Sequence, residues 1–219
     1  MNILHKIILG NTTVAVGHHT GNDIDPEKML FEKEMIILQQ LSPRKRSEWL
    51  ASRELLFQIA RLPERAECLY DDFGKPYLKD TDKLISVSHS ELWCAAMISN
   101  RSCGVDVQTY TSTVERIANR FLSGTELADI GLQSNKNHYL HVYWGAKECM
   151  YKAYGKRRLE FKSHIYIHAV HAEQGTALGE IRYEDLHLTY DIHYRILPET
   201  AWVFCIQRPD STDSADSRM

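Results

Sequence analysis

The chain has 219 residues, enough for one large domain or two small ones. Hydrophobic residues make up 43% and charged residues 25%, which suits a soluble globular protein with a real core. A net charge of −3 argues against a general nucleic-acid binder, and no apolar run nears the roughly 18 residues of a membrane span.

In chain order, residues 3–16 are rich in Ile, Leu and Val and predict one or two strands. Asp25-Pro26 is a cap and first-turn pair, and the stripe Met29, Leu30, Ile36, Ile37 and Leu41 predicts one helix behind it. Ser42-Pro43 opens a second helix to about Leu62, with Trp49, Leu50, Leu56 and Ile59 on its apolar face. "DDFGKPYL" reads as a turn. "LISVSHSELWCAAMIS" reads as two strands with a polar break at Ser88-His89-Ser90, and "CGVDVQ" as a short buried strand. Two helices follow, at about 113–131 and 136–154. "SHIYIHAV", "LHLTYDIHYRI" and "AWVFCIQ" read as strands. The expected fold is α+β. Two similar lobes, 1–102 and 103–209, each pack a small antiparallel sheet with helices, and residues 210–219 form a disordered tail. The N-terminal stretch has no signal-peptide layout. The five Cys are odd in number and form no CxxC pair, so they read as reduced core thiols of a cytoplasmic protein.

Basic residues crowd two regions: Arg44, Lys45, Arg46, Arg53, Arg61 and Arg65, then Lys152, Lys156, Arg157, Arg158 and Lys162. Such patches suit an anionic ligand or an acidic partner; the alternative is two solvated helix faces. In "WGAKECMYKAYG", a helix places Trp144, Lys147, Glu148, Tyr151 and Lys152 in a stripe about 140° wide. Glu148 and Lys152 alone would make an ordinary pair worth about 0.3–0.5 kcal/mol. Aromatic neighbours on that face favour a cleft with a ligand instead.

Asp106 ends the apolar strand "GVDVQ". Together with Glu148 it could hold Mg²⁺, which needs few protein carboxylates. Gln108 points to the same side and could bind the ion directly or through water. The competing role for Asp106 is capping the next helix. "SVSHS" lacks the setting of a nucleophile elbow, so His89 and Ser88 read better as phosphate contacts. Lys75 in "FGKP" and Arg53 in "SRELL" are weaker candidates of the same kind.

Taken together and in order, "SRELL", "FGKPYL", "SVSHS", "GVDVQ" and "WGAKECMYKAYG" resemble the 4′-phosphopantetheinyl transferases, in particular the large two-lobed subgroup. The resemblance covers roughly residues 42–160. It implies two pseudo-twofold-related lobes with coenzyme A and Mg²⁺ in the cleft between them. A serine of an apo acyl or peptidyl carrier protein would receive the phosphopantetheine arm, and 3′,5′-ADP would leave. Asp106 matches the family's metal-binding Asp, Glu148 the metal ligand and proposed base, and Lys152 the Lys placed to neutralise the leaving phosphate. Arg53, Lys75, Ser88 and His89 would contact coenzyme A, with Lys45 or Arg46 at its nucleotide end. Lys147 matches a position that serves ligand or packing. The implied protein is a cytoplasmic monomer without nucleic-acid or membrane partners. Two departures stand out: Gln108 where many members have Glu, and "GKR" (Gly155, Lys156, Arg157) where "GKG" is common. Two rival readings are a non-catalytic coenzyme A-binding module and a basic adaptor for an acidic partner.

Overall fold

A computed structural model describes residues 2–19, 24–156 and 158–209. The expected tail at 210–219 and Arg157 of "GKR" therefore lie outside the described residues. The chain begins with β1 (Asn2–Leu9) and β2 (Thr12–His18), followed by α1 (Pro26–Met29), α2 (Glu32–Gln40) and α3 (Pro43–Ala60). A small hairpin of β3 (Cys68–Tyr70) and β4 (Pro76–Leu78) leads to β5 (Leu84–Ser90), β6 (Trp93–Ser99) and β7 (Cys103–Thr109). Then come α4 (Ser112–Phe121), α5 (Gly124–Gly131), α6 (Lys136–Tyr154) and the single turn α7 (Phe161–His164). β8 (Ile165–His171), β9 (Thr176–Tyr183), β10 (Leu186–Ile196) and β11 (Thr200–Gln207) complete the fold.

The fold is α+β with antiparallel sheets. One sheet runs β1-β2-β6-β5 and the other β7-β11-β10-β9-β8. The central strands β2 and β6 of the first sheet and β7 and β11 of the second are buried almost throughout, so there each sheet has two apolar faces. Val14, Val16, Trp93, Ala95 and Met97 of the first sheet meet Val105, Val107, Trp202, Phe204 and Ile206 of the second in one shared core. The opposite face of the first sheet carries α3 through Leu55, Leu56 and Ile59. The opposite face of the second carries α6 through Tyr143, Ala146, Cys149 and Met150. The layers are thus helix, sheet, sheet, helix.

Three local expectations are corrected. The helix expected after Pro26 is two pieces, broken at Leu30-Phe31, and Ile36 of the expected apolar stripe is exposed. The buried side chains of α2 are Glu34 and Leu38, because Glu34 turns inward to Arg65, whose Nη2 donates to Oε2 at 2.7 Å. The helix expected over 113–131 is also two. Ser123 stops one and caps the next, accepting from Glu126 N at 3.3 Å while Glu126 Oε2 accepts from Ser123 N at 2.8 Å. Ser88-His89-Ser90 is no break: β5 runs through it, and the turn falls at Glu91, where φ is +55°. Thr176–Tyr183 is a further strand not anticipated from the sequence.

No helix of the described residues is long and apolar enough to cross a membrane.

Candidate active site

β7 and α6 carry the centre of the site, and a glycine lets them meet. A Cβ on Gly104 would stand 1.9 Å from the Cys149 carbonyl oxygen, so only glycine admits α6 this close to β7. That approach lays Glu148 and Lys152 of α6 over Asp106 of β7.

Asp106 is 5% exposed. Its Oδ1 accepts from Ser88 Oγ at 2.7 Å and from Lys152 Nζ at 2.7 Å. Lys152 Nζ also donates to the Val105 carbonyl at 3.1 Å. Asp106 Oδ2 is buried without a hydrogen-bond partner among the described residues. Burial pushes the Glu148 pKa above the ordinary carboxylate range, and the nearby Asp106 charge pushes it further, while Lys152 pulls it back. Burial alone would lower the Lys152 pKa, but Asp106 and other anionic neighbours raise it, so the ammonium stays charged. Two carboxylates and one cation thus lie close together, with Lys152 bonded to Asp106. Among the described residues no group of three or more His, Cys, Asp or Glu is arranged to hold a metal. The donor set at this place is two carboxylates, with the half-buried Gln108 amide on the same side of β7 as Asp106.

Beside Lys152 opens a cleft of 280 Å³. The β3–β4 hairpin lines it with Phe73 and Lys75, β5 with Ser86 and Val87, α6 with Tyr151, and the turn after α6 with Gly155 and Lys156. The hairpin turn is built by Asp71, whose Oδ1 accepts from Phe73 N at 2.9 Å and Lys75 N at 2.8 Å. Lys75 reaches across to donate to the Ala153 carbonyl at 2.7 Å at the end of α6. Its stem lies where a Cβ at Gly155 would be, 2.5 Å from Lys75 Cδ, and Gly155 closes the helix with φ +72°. Burial holds the Lys75 pKa below its usual value.

His89 is exposed on the other face of β5, with Nδ1 3.3 Å from Glu48 Oε2. Desolvation of part of the ring lowers its pKa more than Glu48 raises it, and Lys152 lowers it further. Glu48 in turn meets Arg44 Nε at 3.2 Å. Lys45 and Arg46 are exposed at the start of α3. Arg46 closes the end of α2, donating to the carbonyls of Leu38, Gln39 and Leu41 at 2.9–3.1 Å.

Arg53, expected to contact the ligand, is placed elsewhere, and Lys147 takes the packing role of its two expected ones. Arg53 is 1% exposed, under Trp49 with Cζ 3.3 Å from the ring centroid. Its Nη2 donates to Tyr70 Oη at 3.0 Å and its Nε lies 3.7 Å from Glu34 Oε1. It offers a ligand no surface, so the first basic patch is partly internal wiring around Glu34. Lys147 is fully buried. Its Nζ donates to Glu126 Oε2 at 2.8 Å and to the carbonyls of Phe121, Phe161 and Ile165 at 2.7–2.9 Å. Four acceptors around three hydrogens leave nothing for a ligand. Sequence reasoning missed Glu48 and Phe73, while Tyr151 of the α6 stripe does line the cleft. Glu48 meets His89 only through the packing of α3 on β5, which no local pattern signals.

Residues 102–206 match the family model of the 4′-phosphopantetheinyl transferase superfamily. The chain is 32% identical over 112 residues to the 4′-phosphopantetheinyl transferase gsp of Aneurinibacillus migulanus, covering 49% of this chain and 46% of that one. It is 32% identical over 89 residues to the 4′-phosphopantetheinyl transferase ffp of Bacillus subtilis, covering 39% of each. The matched stretches span less than half the length of these curated relatives. The matched family is the one that the quoted motifs resemble.

Proposed function

We propose that this chain, with its match to the 4′-phosphopantetheinyl transferase superfamily at residues 102–206, is a phosphopantetheinyl transferase. It moves the 4′-phosphopantetheine group of coenzyme A to a serine hydroxyl of an apo carrier protein and releases 3′,5′-ADP. The observation that carries this reading is the Asp106 carboxylate, with one oxygen held by Ser88 and Lys152, the other buried and unpartnered, and Glu148 alongside.

Oxygen donors of this kind fit Mg²⁺. Asp106 and Glu148 would hold it, with Gln108 contributing its amide oxygen directly or through water. A cation bound there supplies positive charge to the pyrophosphate of the coenzyme. The cleft bordered by Lys75, Lys152 and Lys156 receives that pyrophosphate. Glu148 takes the proton of the carrier serine. The serine oxygen bonds to the β-phosphorus, and the bond from that phosphorus to the 3′,5′-ADP oxygen breaks. Lys152 neutralises charge on the departing phosphate. His89 offers a hydrogen bond at the outer end of the cleft, and Lys45 with Arg46 offers positive charge toward the nucleotide.

In the same reading, residues 1–102 and 103–209 act as two lobes related by a pseudo-twofold axis. The matching placement of α3 and α6 on their sheets supports this. The protein works as a cytoplasmic monomer on an acidic partner. The test is the mass of an apo carrier protein after incubation with this protein, coenzyme A and Mg²⁺. A gain of one phosphopantetheine group, lost when the metal is chelated, is expected. Coenzyme A binding with no mass gain on any apo carrier would replace this reading with that of a binding module.

A further inference from the structure

Ser86, Ser88 and Ser90 stand at alternate positions of β5, so their side chains share the face turned toward β7. The outer two do one job. Ser86 Oγ accepts from Val105 N at 3.0 Å, and Ser90 Oγ accepts from Thr109 N at 3.1 Å. They satisfy N–H groups that the edge strand β7 would otherwise leave open.

Ser88 breaks the pattern. It is 7% exposed, and its Oγ meets Asp106 Oδ1 at 2.7 Å. A carboxylate only accepts, so the hydroxyl must donate. A hydroxyl has one hydrogen, and here it is committed. What remains on Ser88 Oγ is lone pairs, which repel a phosphate oxygen. The coenzyme contact implied for Ser88 by resemblance therefore lacks a donor.

The effect on Asp106 is more informative. The terminal torsion of an aspartate is broad, so a carboxylate held by one bond can turn. Ser88 and Lys152 approach the same oxygen from β5 and α6 and pin it. Both donors fall on Oδ1 and none on Oδ2, which stays buried and unpartnered. We infer that Ser88 is a positioning residue: it locks the Asp106 carboxylate with Oδ2 available to a divalent cation, and does not itself touch coenzyme A. The inference rests on the reading of Asp106 as a metal ligand proposed above.

The test measures Mn²⁺ binding by electron paramagnetic resonance with coenzyme A present, in the wild type, Ser88→Ala, Ser88→Thr and Ser90→Ala, with thermal melts of each. Partners that orient metal ligands typically contribute about 10–100-fold in metal affinity. Ser88→Ala should therefore bind Mn²⁺ about 10-fold more weakly, with KM for coenzyme A unchanged at saturating metal. Ser88→Thr keeps the hydroxyl and should restore most of the affinity. Ser90→Ala removes a comparable strand-to-strand bond and should leave Mn²⁺ affinity as in the wild type. Wild-type Mn²⁺ affinity in Ser88→Ala with a raised KM for coenzyme A would overturn the inference and restore Ser88 as a coenzyme contact. Equal weakening in Ser90→Ala would overturn it as a general loosening of β5 on β7. A wild type that binds no Mn²⁺ would overturn it together with the metal reading of Asp106, a result distinct from the other two.

Discussion

Lys147 and Lys152 stand five positions apart on α6, and each meets a carboxylate at 2.7–2.8 Å. Five helical steps turn the side chains about 140° apart. Lys147 faces inward, where Glu126 and three carbonyls satisfy it completely, and Glu126 is itself bonded by the N–H groups of Ser123 and Ile167. Lys152 faces β7 and the cleft and keeps 27% of its side chain exposed. Its partner Asp106 retains an unpaired oxygen and a second carboxylate, Glu148, beside it. The first arrangement is closed and ties α6 to α4, α5, α7 and β8. The second is incomplete, with Asp106 Oδ2 unpartnered among the described residues. Two ion pairs of similar length thus differ in what surrounds them, and completeness separates the structural one from the candidate catalytic one.

Four perturbations break or sharpen this contrast. The largest effect is expected at the open site. Glu148→Gln should lower the rate of carrier modification about 10³-fold or more, since a positioned base contributes about 10²–10⁴-fold. Its thermal midpoint should stay at or above that of the wild type, because a carboxylate raised in pKa by burial is lost; full activity would refute the role. At the closed site, Lys147→Met strands a buried Glu126. It should cost about 3–5 kcal/mol in urea unfolding while the folded protein keeps its kcat. A catalytic loss without loss of stability would merge the two sites. Lys152→Ala should slow kcat about 10²-fold and change KM for coenzyme A less; an effect on KM alone would remove it from the chemical step.

The last perturbation concerns the thiols. Burial pushes Cys68 up to about 11, and Cys94 and Cys103 up to about 12. A thiol raised in the folded state stabilises it fully below the unfolded value near 9. That contribution is lost as pH rises through 11–12, at up to about 1.4 kcal/mol per pH unit per thiol. Urea midpoints measured from pH 8 to 10.5 should fall only above pH 9, and iodoacetamide at pH 8 should label none of the five buried thiols before unfolding. Labelling of the folded protein would contradict their burial.

Much of the site was legible because its signals are local. Asp106 is a lone carboxylate in an apolar strand, where it lies mid-strand and not at the end expected, and Glu148 and Lys152 are one helical turn apart. The split at Ser123 was legible too, in the "SGTE" capping pattern, but the apolar periodicity running across it hid the stop. What stayed hidden depends on distant partners. Arg53 looks like a free cation until Glu34, 19 positions earlier, is found facing it from α2. Ser88 reads as a ligand contact until β7 brings Asp106 to its hydroxyl. Lys147 shares a helical stripe with Glu148, and only the packing of α5 turns it into core.

The spatial claim under all of this is that Asp106 and Glu148 share one divalent cation over the coenzyme's pyrophosphate. Crystals grown with coenzyme A and Mn²⁺ and measured for anomalous scattering test it directly. The account predicts one strong peak between these two carboxylates, with the pyrophosphate as its neighbour. A bound coenzyme whose metal lies away from both carboxylates would contradict it.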